Sequence, residues 1–162
     1  MRLAIISDTH LPRGTRVIPE SCLAACRAAD VIFHAGDLID LAALELVRSL
    51  GPPVHAVYGN VCTDEVQAAL PERLEVDLEG VRIGMLHIPG TAKGRAERLR
   101  RAFPGCDAVI FGHTHLPEHI TLDDGFQVFN PGSPTERRRA PTRTMGIGAI
   151  DDGRLVLDVV DV

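Results

Sequence analysis

Seven side chains that could hold a cation stand at the ends of five apolar runs in this sequence. Asp8 and His10 follow residues 3–6, Asp37 follows residues 31–35, and Asn60 follows residues 54–58. His87 follows residues 81–86, and His113 and His115 follow residues 106–111. Imidazole, carboxylate and amide donors without a thiolate suit manganese, iron, zinc or nickel better than calcium or copper(I). Two four-ligand sites that share one bridging group need seven protein ligands, the number found here. A carboxylate can bridge through its two oxygens and a neutral imidazole cannot, so the bridge is Asp8 or Asp37. Asp37 after Gly36 could serve a turn or cap, and Asn60 after Gly59 is by itself an ordinary turn dipeptide. Two imidazoles at i and i+2 after a buried run have little structural use, and the joint placement of all seven carries the argument.

Residues 3–6, 31–35 and 54–58 read as short strands buried on both faces, because they are continuously apolar rather than alternating. Helices are expected over residues 20–29, started by Pro19, and over residues 41–50, capped by Asp40 and stopped by Gly51-Pro52-Pro53. A short helix follows Thr63 and ends at Pro71. Residues 74–78 alternate apolar and acidic, and Glu79-Gly80 turns the chain into residues 81–86. Residues 91–103 read as a basic helix closed by Pro104-Gly105. Two further hairpins join residues 119–122 to 126–129 and 145–150 to 154–160. Glycine precedes three of the candidate ligands (Gly36, Gly59, Gly112) and is expected to permit the sharp turn that aims the next side chain over the sheet edge. The element pattern predicts an α/β domain with one mixed sheet, or two stacked sheets with helices outside.

A chain of 162 residues fits one domain,. Its 45% apolar and 24% charged residues are those of an ordinary globular protein,. A net charge of −5 and an aromatic share of 4% argue against a nucleic-acid binder built on basic faces and stacking platforms,. No signal peptide is legible at the start and no apolar run approaches a membrane span, so a cytoplasmic protein without a membrane partner is expected. Cys22, Cys26, Cys62 and Cys106 contain no Cys-x-x-Cys pair and read as reduced thiols, with Cys22 and Cys26 on one helix face,.

In this order, Asp8-x-His10, Gly36-Asp37, Gly59-Asn60, His87 and Gly112-His113-x-His115 resemble the motif set of the calcineurin-like metallophosphoesterases. The short chain, with Asn130-Pro131-Gly132-Ser133 after the histidine pair, is similar to their small prokaryotic phosphodiesterase branch, to which the eukaryotic retromer scaffold subunit is related. The resemblance implies a single metallophosphoesterase domain over residues 1–162, folded as a four-layer αββα sandwich with two mixed β-sheets. It implies two divalent cations, manganese first, with iron, zinc or nickel as alternatives. One cation would take Asp8, His10, Asp37 and His115, and the other Asp37, Asn60, His87 and His113, which makes Asp37 the bridge. The implied reaction is hydrolysis of a small phosphate ester, a diester before a monoester, by in-line attack of a hydroxide held between the cations.

Two departures bear on the chemistry. Much of the family has a histidine directly after the motif asparagine, whereas Val61, Cys62 and Thr63 follow Asn60 here, with Asp64 the nearest ionisable residue. His87 is followed by Ile88-Pro89-Gly90 and so has no second imidazole beside it. The chain thereby lacks a general acid in the usual place and is expected to favour good leaving groups. Arg95, Arg98, Arg100 and Arg101 read as a solvated helix face. Arg137, in the run Arg137-Arg138-Arg139, is the arginine offered as a substrate contact, together with Asn60. The competing function is a non-catalytic scaffold or protein-interaction module on the same fold. Pairing of two copies through the hydrophobic C-terminal strand pair is also expected.

Overall fold

Burial on both faces explains the unbroken apolar run that opens the chain. In the computed structural model, which describes residues 1–162, the elements follow the order β1 (Arg2–Ile6), α1 (Glu20–Ala28), β2 (Val31–His34), α2 (Leu41–Arg48), β3 (Val54–Ala56), α3 (Asp64–Ala69), β4 (Arg73–Leu78), β5 (Val81–Leu86), α4 (Arg95–Ala102), β6 (Ala108–Ile110), β7 (Glu118–Thr121), β8 (Gln127–Asn130), β9 (Thr144–Asp151) and β10 (Arg154–Asp161). Two five-stranded mixed sheets result, in the orders β10-β9-β1-β2-β3 and β4-β5-β6-β8-β7. In the first, β1, β2 and β3 run parallel, with Ile5 opposite Phe33 and Phe33 opposite His55. In the second, β5, β6 and β8 run parallel, with Met85 opposite Ile110 and Ile110 opposite Phe129.

Alternate side chains of β1 serve different cores, as the two-residue strand period requires. Ala4 and Ile6 point to an outer core with Cys22 and Cys26 of α1, Leu44 and Val47 of α2, and Val66 of α3. Leu3 and Ile5 point inward to a second core with Phe33, Ile83, Met85, Ile110 and Phe129, between the two sheets. A third core packs Leu99 and Phe103 of α4 and its end onto Val109, Phe111 and Val128 of the second sheet. The layers are therefore helices, sheet, sheet and helix, the αββα sandwich. Each of the four cysteines is buried and free. No helix is long and apolar enough to cross a membrane.

The basic helix starts later than residue 91. Gly90 and Gly94 both lie at positive φ, at 76° and 64°, which an α-helix cannot contain, so residues 91–94 form a loop and α4 begins at Arg95,. Of its arginines only Arg101 is a free solvated side chain, and the other three are engaged. Arg95 is buried, pairs with Glu118 on β7 and lies over the Phe111 ring. Arg98 donates to the carbonyls of Pro89 and Thr91, and Arg100 pairs with Asp124 at 2.8 Å. These side chains staple α4 to the loops on either side of it. Gly84 on β5 admits α4, since a Cβ there would lie 2.4 Å from the Phe103 ring. Gly84→Ala is therefore expected to destabilise the fold by about 1–3 kcal/mol through overpacking. A urea titration followed by circular dichroism checks this, and an unchanged midpoint would show that α4 docks less tightly than described.

Candidate metal centre

Where the parallel strands of both sheets end, the backbone makes its tightest excursions. Asp8, His10, Asp37, His113 and His115 all adopt positive φ, between 49° and 71°. Such a conformation is uncommon for residues with a Cβ and marks a strained turn. Glycine was expected to do this turning, but Gly59 and Gly112 are not at positive φ and only Gly36, at 98°, is. Space is what all three provide. A Cβ at Gly36 would lie 2.5 Å from His87 Nδ1, one at Gly59 would lie 2.1 Å from Asp37 Oδ1, and one at Gly112 would lie 2.0 Å from Ser7 Oγ. The ligand-bearing residues turn, and the glycines let two strand ends touch.

The structure brings all seven candidate residues to one crevice. Asp37 lies at its middle, with Oδ2 3.4 Å from His10 Nε2 and Oδ1 3.2 Å from His87 Nε2. Asp8 Oδ1 is 3.3 Å from His115 Nε2, and His115 Nε2 is 3.1 Å from His10 Nε2. On the outer side, Asn60 Oδ1 is 2.9 Å from His113 Nδ1. Two donors held about 2.1 Å from one divalent ion at right-angled to tetrahedral geometry are about 3.0–3.4 Å apart. The spacings here fall in or next to that range. Asp8, His10 and His115 form one compact group, and Asp8, Asp37 and His87 another.

Surrounding hydrogen bonds orient these donors. His87 Nδ1 is 2.7 Å from the Ala35 carbonyl and His115 Nδ1 is 3.1 Å from the Glu136 carbonyl. Each ring must donate at Nδ1, which leaves the Nε2 lone pair facing the crevice, the arrangement of a metal-ligating histidine. His10 Nδ1 is buried without a hydrogen-bond partner, and His87 Nε2 is buried against Asp37 Oδ1 at 3.2 Å. The Asp8 carboxylate accepts from Ser7 Oγ at 2.7 Å and from the His113 amide at 2.9 and 3.1 Å, so much of its capacity is committed. Asp37 receives the Val61 amide at 3.2 Å on Oδ1 only and keeps Oδ2 open, which makes it the better bridge.

Electrostatics point the same way. Burial pushes Asp8 up to about 6, against the opposing pull of His87 and Ser7. Burial also drives His10 and His115 down, towards their neutral forms. At Asp37 burial acts upwards but the hydrogen bond and charge of His87 outweigh it, and the carboxyl lies below its ordinary range. At His87 burial acts downwards, but the hydrogen bond to Asp37 and the charge of Asp8 outweigh it and the ring lies above its ordinary range. Two buried carboxylates beside His10 and His115, which favour neutrality, make a pocket suited to cations. The residues fit divalent metal.

The run Asn130 to Thr135 braces the crevice. Asn130 Nδ2 donates to the Gly112 carbonyl at 3.1 Å and to Thr114 Oγ1 at 3.0 Å. Ser133 Oγ donates to the Asp8 carbonyl at 2.8 Å and Thr135 Oγ1 to the Thr9 carbonyl at 2.9 Å. Sequence reasoning registered the motif but not this role. Arg137 is exposed, with its guanidinium on the carbonyls of Ala140 and Pro141 in its own loop. Its neighbour Arg138 and Arg16 both pair with Glu136, whose carbonyl holds His115. Cys62 is buried, with Sγ accepting the Gly59 amide at 3.1 Å, and Asp64 opens α3 on the exposed side. His34 is fully buried with Nε2 3.1 Å from Thr9 Oγ1, and His119 pairs with Gln127 on the surface, so neither joins the group.

Residues 1–153 match the family described as the calcineurin-like phosphoesterase superfamily domain. A probable metallophosphoesterase from Methanothermobacter thermautotrophicus is 33% identical over 162 residues, covering 99% of this chain and 92% of that protein. Among solved structures, a zinc complex of Vps29 from Entamoeba histolytica superposes with a TM-score of 0.79 at 23% identity, over 99% of each chain. A structure described as a novel archaeal phosphodiesterase superposes with a TM-score of 0.75 at 21% identity, covering 99% of this chain and 100% of that one.

Manganese or zinc at 100 times its dissociation constant is expected to stabilise the protein by about 2.7 kcal/mol, seen as a rise in melting temperature that a chelator reverses. Gly59→Ala forces a Cβ against Asp37 and is expected to weaken metal binding at least about tenfold with the far-ultraviolet spectrum retained. Equal metal-induced shifts in wild type and variant would remove Asp37 from the metal site.

Proposed function

Because the chain belongs to the calcineurin-like phosphoesterase superfamily, we propose that it is a metal-dependent phosphodiesterase that works with two divalent cations on residues 8–115, manganese before iron, zinc or nickel. The whole chain acts as one such domain, in the cytoplasm, on a small phosphate ester. The observation that carries this reading is Asp37, whose two carboxylate oxygens face His10 and His87 on opposite sides at 3.4 and 3.2 Å. Asp8, His10, Asp37 and His115 would hold one cation, and Asp37, Asn60, His87 and His113 the other. When bound, the pair supplies a water nucleophile at neutral pH and neutralises charge that develops on the phosphoryl oxygens.

This chain's own residues do the positioning. The Ala35 and Glu136 carbonyls hold His87 and His115 in the tautomer that keeps Nε2 directed inward. Asn60 and His113 stand at the exposed side of the crevice, where a phosphoryl oxygen can approach. Arg137 reaches the same ester only by giving up its bonds to Ala140 and Pro141. No unbonded imidazole stands beside Asn60 to protonate a departing alkoxide, which favours esters whose alcohols leave readily. An open cleft beside Asn60 and His87 leaves room for a second ester substituent and supports a diester over a monoester.

A second reading, an interaction module, draws on a groove of about 480 Å³ under the 11–18 loop, where Val17 and Leu46 are exposed. Turnover separates the two. Asp37→Asn is expected to abolish hydrolysis of bis(p-nitrophenyl) phosphate in the presence of Mn²⁺, a loss of about a thousandfold or more, while the circular dichroism spectrum persists. Full activity in the variant would sink the bridging role, and no turnover by wild type with any of the four metals would favour the interaction module.

A further inference from the structure

Adjoining the metal centre on its Asn60 and His87 side is a cavity of about 480 Å³. That volume is typical of small-molecule sites and suits one nucleoside rather than a longer polymer. Tyr58, the only tyrosine in the chain, forms part of its wall together with Leu86 and Ile88. Ile88 is half exposed and Tyr58 is only partly covered, so both offer surface to a flat ring that enters the cleft. Such a surface gains most from a planar π-system, as in the stacking of bases on aromatic side chains.

The polar groups of the cleft define what that ring must carry. Arg73 lines the cleft with its guanidinium already engaged, its Nη2 bonded to Glu75 Oε1 and the Ala102 carbonyl and its plane 3.8 Å over Phe103. A second phosphate there would have to compete with Glu75 for Arg73. Glu72, beside the Tyr58 hydroxyl, is an acceptor. Gln67 spends its Nε2 on the Cys62 carbonyl at 3.0 Å, which turns its Oε1 into a further acceptor. An uncharged, flat group with adjacent N–H donors fits this lining, whereas one edged by carbonyl oxygens meets like dipoles.

We propose that this cleft is a base-recognising subsite, which seats the nucleoside arm of a nucleotide phosphodiester against Tyr58 and Ile88 and selects bases with adjacent N–H donors, guanine foremost, through Glu72 and Gln67. The assignment rests on the phosphodiesterase reading of the adjoining metal centre and names the substrate class for it. Guanine presents two N–H groups side by side to one carboxylate, while uracil flanks its single N–H with two carbonyls. Tyr58, Glu72 and Ile88 act on affinity and selectivity rather than on the bond being broken.

Guanosine 5′-monophosphate, uridine 5′-monophosphate and methyl phosphate can be compared as competitive inhibitors of bis(p-nitrophenyl) phosphate hydrolysis by the Mn²⁺-loaded protein. Guanosine 5′-monophosphate is expected to inhibit at least about tenfold more tightly than methyl phosphate and several-fold more tightly than the uridine nucleotide. Glu72→Gln brings the guanosine-to-uridine ratio towards one, and Ile88→Ala, at an exposed position, lowers the advantage over methyl phosphate without disturbing the fold. A separate readout needs no turnover. The single tyrosine gives one set of ring proton signals, which stacking of the guanosine nucleotide shifts in the Zn²⁺-loaded protein and methyl phosphate does not. Turnover without that shift, or equal inhibition by the three compounds, overturns the subsite alone. A shift without turnover under any metal supports the subsite and overturns the hydrolase.

Discussion

Two β-sheets meet at one edge of this molecule with no room for a Cβ between them. The carboxylate of Asp8, at the end of β1, accepts the backbone N–H of His113, beyond β6 in the other sheet. The ring of His87, from β5, reaches across to the Ala35 carbonyl beyond β2. These contacts require the glycines at 36 and 112, because a side chain there would strike His87 or Ser7, while Gly59 makes room for Asp37 within the first sheet. The sandwich brings the sheets into register through its inner core. The close approach at the edge then converts that packing into a cluster of donors with ligand-like spacing.

This arrangement costs backbone strain, and the strain is borne by the candidate ligands themselves. Five of the seven lie in the left-handed region, at a cost on the order of 1–3 kcal/mol each,. Burial of the Asp8 carboxylate and the unpartnered Nδ1 of His10 add to it. A site assembled for packing alone would not keep these groups, since a Leu in place of His87 or an Asn in place of Asp37 would remove the buried ionisable group. Three buried cores surrounding the edge hold it in place, and the Ser133 and Thr135 hydroxyls fix the carbonyls of Asp8 and Thr9 directly. Divalent cations would offset the repulsion between the carboxylates, so that the rigid fold and the metal each stabilise what the other requires.

The strands, most helices and all seven candidate ligands were legible because their signals are local. Continuous apolar runs identify doubly buried strands, and a carboxylate or imidazole at the end of one is visible in the sequence itself. The layer order and the convergence of the strand ends follow from the resemblance more than from any pattern of hydrophobicity. The glycines show where local reasoning stops. Their presence before the ligands was legible, but their function is steric and depends on side chains 22 to 105 residues away in sequence, as with Gly59 against Asp37 and Gly112 against Ser7. Arg95 was misread for the same reason, since its partner Glu118 lies on β7 and nothing in a basic helix announces a buried arginine. The late start of α4 was readable in principle from Gly90 and Gly94, but two glycines in a polar stretch only become decisive once their positive φ is known.

The charge balance separates the site from the surface. A protein with a net charge of −5 would repel an anionic ester if that charge were spread evenly near the crevice. Here the acidic residues inside the crevice are Asp8 and Asp37, both buried, while Arg16 and Arg138 converge on the rim carboxylate Glu136. If the proposed two divalent cations bind, their four positive charges would exceed the two carboxylate charges, and the crevice would attract a phosphate despite the overall balance. The low dielectric of a buried pocket strengthens that local field relative to the solvent-screened surface. On the other flank, Arg73 is already neutralised by Glu75 and stacked on Phe103. With the proposed cations bound, positive potential would be concentrated at the crevice and fall away towards Tyr58 and Ile88, a gradient that would orient the proposed diester with its charged group at the crevice and its uncharged arm in the cleft.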